Sequence, residues 1–262
     1  VTLLGGHGGS GKTWLGLILA AHFAAGASWH GLQSRGGRAL FVSLEDPASV
    51  MKFRLKKIIE VYDLDAELVE ANLIILDGSE SAGALMVERN DFGVKTLERT
   101  ELFGEVEAAA QGCGLVVVDN ASDAFAGNEI SRVQVRGFIR ELRQLAKANK
   151  AGLILLAHID KSAAKFGSNG NSYSGSTAWH NSVRSRLALL EKNGVVELVQ
   201  EKLNLGKKLE NPIPLDWAES VLVPGSTFTE GADAEGQECL DRVAVLMAIQ
   251  SDISDGESVP TA

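Results

Sequence analysis

The sequence predicts an α/β protein: a largely parallel, doubly wound sheet flanked by helices and extended by an antiparallel hairpin. Short apolar runs recur at residues 1–4, 39–44, 73–76, 115–118 and 153–157. Their hydrophobicity is continuous rather than alternating, as a sheet covered on both faces requires. Between them lie stretches with helical periodicity, at 12–25, 47–61, 96–110 and 131–149, the alternation that builds a parallel sheet. Near the far end, Asn193-Gly194 separates the strand-like runs 183–190 and 195–200, and Asn-Gly accepts the positive φ values of a tight hairpin turn.

Taken in order, the run 1–4 enters a glycine-rich turn, and the first helical pattern opens at Lys12. The run 39–44 closes on Glu45-Asp46-Pro47. Pro47 suits a helix start and Asp46 is placed to cap it. The third strand, 73–76, precedes a helix expected over 96–110; the fourth, 115–118, stops at Asp119; the fifth, 153–157, stops at His158. Residues 162–177 are rich in Gly, Ser and Asn with few apolar anchors, and a loop that long inside a domain is either functional or disordered. Residues 227–236 are polar and acidic, and 237–250 have helical periodicity. The division expected is one α/β domain over 1–225, a linker over 226–236, and a C-terminal helix and tail over 237–262 that begin a second element. No internal repeat is visible. The chain opens directly on an apolar run without Met, and its natural N-terminus is expected to have been cut away.

With 262 residues, 45% of them hydrophobic, the chain can bury an ample core. Its net charge of -9 argues against broad coating of nucleic acid, which depends on Lys and Arg. Any DNA contact has to be local, through a loop or a pore. Cys113 and Cys239 have no paired-ligand spacing and read as buried or semi-buried thiols in a reducing cytosol. No apolar run approaches a membrane span and no basic n-region followed by an apolar h-region opens the sequence, so a soluble, cytoplasmic protein is expected.

The chemistry concentrates at the ends of the predicted strands. Gly6-His7-Gly8-Gly9-Ser10-Gly11-Lys12-Thr13 fits G-x-x-x-x-G-K-[ST], following a strand and opening a helix. Successive N–H groups form an anion nest, and the glycines let the backbone approach phosphates closely. Lys12 is expected to reach the β- and γ-phosphates and the Thr13 hydroxyl to ligate Mg²⁺. Asp119, ending an apolar strand, has the form of the carboxylate that holds the magnesium's water shell. Asn120 follows it and is not a carboxylate, so the water-activating base lies elsewhere. Glu45, at the carboxyl edge of another core strand, is the candidate general base. His158 ends its strand at the same edge, where it can hydrogen-bond the γ-phosphate or the attacking water. Its other reading is a satisfied surface residue.

Together, residues 6–13, Glu45-Asp46-Pro47, residues 116–119 and His158 resemble the RecA-like P-loop ATPases. Within them the likeness, over residues 1–217, is to the hexameric replicative helicase RepA family of plasmids, phages and prophages. Of these motifs only the phosphate loop is specific by itself. The resemblance implies ATP as the nucleotide, a homo-oligomeric ring of six, and single-stranded DNA in its channel, met by the loop 161–177. Lys161 and Lys165 supply charge there and Phe166 and Tyr173 a stacking face; a solvent loop fits the same composition. It also implies basic residues given to the neighbouring subunit's γ-phosphate: Arg184 as arginine finger, with Arg186 two residues on and Lys202 as a second cation acting in trans. The alternative for these three is ordinary solvated strand charge.

Two further functions share the same pocket. One is an ATP-switched module that binds DNA or protein without helicase activity. The other, phosphoryl transfer to a small molecule, is disfavoured by the absence of a recognisable lid and by the fit of the hairpin region to the ring family. The acidic charge and the lack of any primase-like or DNA-recognition module make ATP hydrolysis better supported than strand separation.

Overall fold

A computed structural model describes residues 1–80, 83–158, 177–192, 194–204, 206–209 and 211–225. The expected linker, the C-terminal helix and Cys239 lie outside the described residues. The chain runs β1 (Thr2–Gly6), α1 (Lys12–Ala25), β2 (Ala39–Ser43), α2 (Ala48–Tyr62), α3 (Ala66–Asn72), β3 (Leu73–Asp77), β4 (Met86–Asp91) and β5 (Val94–Arg99). It continues with α4 (Glu101–Ala109), β6 (Leu115–Asp119), α5 (Ala121–Ala124), β7 (Phe125–Ala126), α6 (Arg132–Ala148) and β8 (Gly152–His158). Beyond residue 176 come α7 (Thr177–Ser182), β9 (Ser185–Lys192), β10 (Val195–Leu203), β11 (Ile213–Ala218) and β12 (Val221–Pro224).

Among the described residues the main sheet has nine strands in the order β12-β11-β10-β9-β1-β8-β6-β2-β3. From β3 to β9 every pairing is parallel, and β9 through β12 pair antiparallel. This is a RecA-like P-loop fold with a hairpin extension. All five residues of β2 and of β6 are buried, which is why their apolar runs do not alternate. Separate apolar clusters cover the two faces. One face carries α1 and α2 with Leu15, Ile18 and Met51; the other carries α4 and α6 with Phe103, Phe138 and Leu142. In α6 the buried residues Val135, Phe138, Ile139, Leu142, Leu145 and Ala146 form one stripe, and Ser131 caps it by accepting from Gln134 N–H.

Two expectations are corrected. The helix read over 96–110 is shorter, because residues 94–99 form β5, hairpinned with β4 through a turn with positive φ at Phe92 and Gly93. Thr100 then accepts from Phe103 N–H and starts α4. Asp46 does not cap α2: its carboxylate pairs with Arg54 at 2.7 Å, and the first amide of the helix, Ala48 N–H, donates instead to Asp77 Oδ2 at 2.6 Å. Cys113 is buried, as expected.

Candidate nucleotide-binding site

Parallel register brings the predicted site residues to one edge. Gly6 is level with His158, and Ser43 with Asp119, so the chain leaving β1, β2, β6 and β8 converges at their carboxyl ends.

The phosphate loop is packed inside and open outside. Ser10 N–H donates to His7 O at 3.1 Å and closes the turn. A Cβ on Gly6 would lie 2.4 Å from Ser10 Oγ, whereas one on Gly8 or Gly9 would meet nothing within 4 Å. Gly11 caps α1 with no side chain to satisfy the first amides, and the first turn holds no acidic residue. Those N–H groups and the helix dipole leave positive potential at the loop. Ser10 Oγ is buried without a hydrogen-bond partner among the described residues, a donor that a phosphate oxygen would satisfy.

Lys12 is 6% exposed and folds over this loop. Its Nζ donates to Gly6 O at 3.0 Å and to His7 O at 2.9 Å, and lies 3.4 Å from His158 Nδ1. Burial lowers the Lys12 pKa, while the charges of Asp119 and Glu45 raise it. Burial and the Lys12 cation lower that of His158. The imidazole is therefore neutral near pH 7, and with Nδ1 accepting from Lys12 the proton is assigned to Nε2.

Asp119 is 3% exposed and accepts a hydrogen bond from the Thr13 hydroxyl. Burial pushes its pKa up to about 6; the Thr13 bond and Lys12 oppose the rise, and the charges of Glu45 and Asp46 add to it. A threonine hydroxyl and a carboxylate beside an open phosphate loop are hard oxygen donors, and they fit Mg²⁺, which keeps most of its waters and takes few protein ligands.

Glu45 is exposed and is held by a residue that the sequence marked only as not being the base. Asn120, 2% exposed, caps α5 by accepting from Ser122 N–H and Asp123 N–H through Oδ1. Its Nδ2 donates to Glu45 Oε2 at 2.9 Å and to Asp123 Oδ2 at 2.7 Å. All of its amide capacity is thereby used. The signal was present: an Asn directly before Ala-Ser-Asp is an N-cap pattern.

The three predicted trans cations gather at the opposite edge of the sheet. Ser185 is level with Thr2 and Leu189 with Gly6, so Arg184 stands five residues from the loop's level, roughly 16 Å along the strand. Arg184 is exposed; Arg186, in contrast, is 1% exposed and paired with Glu201. Lys202 Nζ donates to His180 O at 3.1 Å and to Val183 O at 2.7 Å, tying β10 to the end of α7. Lys161, Lys165, Phe166 and Tyr173 lie outside the described residues.

A family model described as an AAA domain matches residues 1–164, from β1 through β8 and beyond the phosphate loop, Glu45, Asp119 and His158. No curated protein matches the chain. No described helix is long and apolar enough to cross a membrane.

Proposed function

The chain belongs to the AAA domain family of P-loop ATPases, and on that premise we propose a ring-forming, DNA-stimulated ATPase that couples hydrolysis to translocation along or unwinding of DNA. In this reading it is a replicative helicase of the RepA kind, assembled as a hexamer, with single-stranded DNA contacted through the loop 161–177. Lys12 leaves the carbonyls of Gly6 and His7 and turns to the β- and γ-phosphates, while the loop amides of residues 7–11 bind the phosphate oxygens. Thr13 and Asp119 hold Mg²⁺, which supplies neutralisation of phosphate charge when bound. Glu45, oriented by Asn120, accepts the proton of the attacking water. His158 donates Nε2–H to the γ-phosphate and, being next to the DNA loop in sequence, reports phosphate occupancy to it.

The observation that carries the ring is the separation of the two halves of the machinery. The phosphate loop lies at the carboxyl edge of the sheet and Arg184 is exposed at the amino edge. An arginine acting on the γ-phosphate from there has to come from another copy. Such head-to-tail contacts are heterologous; they close into a ring where the rotation between subunits closes and extend as a filament where it does not, and the ring is the form proposed here. Lys202 is proposed as the second trans cation once an interface draws it from the carbonyls of His180 and Val183.

Mixing two inactive variants tests this reading. Arg184→Ala has an intact pocket but lacks the finger; Glu45→Gln has the finger but lacks the base. Each alone is expected to lose about 10³ in turnover, and a 1:1 mixture with single-stranded DNA is expected to regain a substantial fraction of wild-type activity. A mixture as inactive as its components, or an active Arg184→Ala protein, would sink the ring motor. The net charge of -9 favours the second reading, an ATP-switched binding module. That module predicts nucleotide-dependent assembly without DNA-stimulated turnover.

A further inference from the structure

Beside the phosphate loop lies an aromatic surface that none of these roles uses. Strand β9 is parallel to β1, β10 is antiparallel to β9, and β11 is antiparallel to β10. β11 therefore runs in the direction of β1, and its C-terminal end reaches the edge that carries the loop. Along one face of β11, Ile213 and Leu215 are buried, and the next residue on that face, Trp217, is 47% exposed. A half-exposed indole continuing a buried stripe leaves a large apolar area in water.

Its neighbours belong to the nucleotide site. A Cβ on Gly11 would lie 3.2 Å from Cζ2 and Cη2 of Trp217 and 2.5 Å from Leu222 Cδ1, so the hairpin β11–β12 rests directly on the last glycine of the loop. Gly11 has φ 92°, and the ring approaches where any side chain would stand. Trp14, in the first turn of α1, meets Trp217 edge-on with ring centroids 6.4 Å apart. Arg54 lies over Trp14 at 5.7 Å and is held by Asp46. Tyr62 Oη donates to Leu222 O at 2.6 Å and pins the hairpin to α2.

We infer that Trp217, walled by Trp14, is the platform on which the base of the bound nucleotide stacks. The inference rests on the nucleotide site proposed above. A triphosphate seated in the loop carries its ribose and base out past the start of α1, and among the described residues Trp217 offers an exposed aromatic surface against that rim. Stacking on an indole face suits any base and needs no hydrogen-bond readout.

The test separates base from phosphates. Mg·ATPγS and Mg·tripolyphosphate are titrated calorimetrically into wild type, Trp217→Ala, Trp217→Leu and Trp217→Phe, with thermal melting of each. Ala and Leu are expected to weaken ATPγS about tenfold and leave tripolyphosphate within twofold, and Phe to stay within about threefold of wild type for both. Leu keeps the apolar contact with Gly11, so damage to the hairpin is not mistaken for loss of stacking. Unchanged ATPγS binding in Ala and Leu, or equal loss of ATPγS and tripolyphosphate, overturns the platform alone. A wild type that binds neither ligand overturns the nucleotide site as well.

Discussion

Asp119 combines near-complete burial with a pKa raised to about 6 from 3.8, burial being the main cause. Below about pH 4 folded and unfolded chains both hold the proton, and the raised pKa contributes fully to stability. As pH rises through the window from about 4 to 6, the unfolded chain ionises first and that contribution is lost. At about 1.4 kcal/mol per pKa unit the loss approaches roughly 3 kcal/mol by pH 7. Asp119→Asn is thus expected to be more stable than wild type at pH 7, with the advantage vanishing near pH 4, and to be inactive; denaturant melts at pH 4.5, 5.5 and 7 check it. Asn120 gives a second residue-scale prediction. Asn120→Ala frees Glu45 without removing it, so kcat is expected to fall about 10²-fold with KM nearly unchanged. Steady-state kinetics beside Glu45→Gln decide this, and a shift confined to KM would remove Asn120 from the positioning role.

Among the elements, α1 was legible to its ends because its cues are local: a glycine run before Lys12 and Gly26 as a left-handed C-cap. The hairpin β4–β5 was not legible, because little of it is buried. Val94 is 63% exposed and Phe92 fully so, which removes the alternation that identifies a strand. What holds it is tertiary: β4 pairs with β7, Gln134 donates to Glu88, and Arg99 reaches Glu141 at 2.7 Å while lying 4.5 Å over Phe103. Arg99→Ala is expected to cost about 1 kcal/mol, given its partial exposure, as read by urea denaturation. Gly11→Ala combines a left-handed backbone with a clash against β12. It is expected to lose more than the roughly 1–2 kcal/mol of the backbone term and to loosen the hairpin, seen as faster amide exchange in β11 and β12.

For the whole molecule, a proposed finger at one sheet edge and its target at the other make activity a property of the assembly. ATP turnover per subunit is expected to rise with protein concentration and to level off once rings form, with mass measured in the same solutions. Activity proportional to concentration throughout would point to a self-sufficient monomer. The strand order that creates this separation was not legible, since β9 sits beside β1 although some 180 residues lie between them.

The parallel core, the phosphate loop and the strand-end residues Glu45, Asp119 and His158 could be read from the sequence alone. Apolar continuity, glycine punctuation and helix starts are properties of a few adjacent residues, and parallel strands bring their carboxyl ends to one edge by construction. Only the tertiary structure decided where each charged group is held. Arg184, Arg186 and Lys202 look alike in sequence. Register and burial leave the first exposed, pair the second with Glu201 inside the sheet, and turn the third onto the backbone carbonyls of His180 and Val183. The same holds for Asn120 on Glu45 and Trp217 on Gly11, 75 and 206 residues apart. A side chain's partner across such distances is set by strand register and packing, and neither is written in its neighbours.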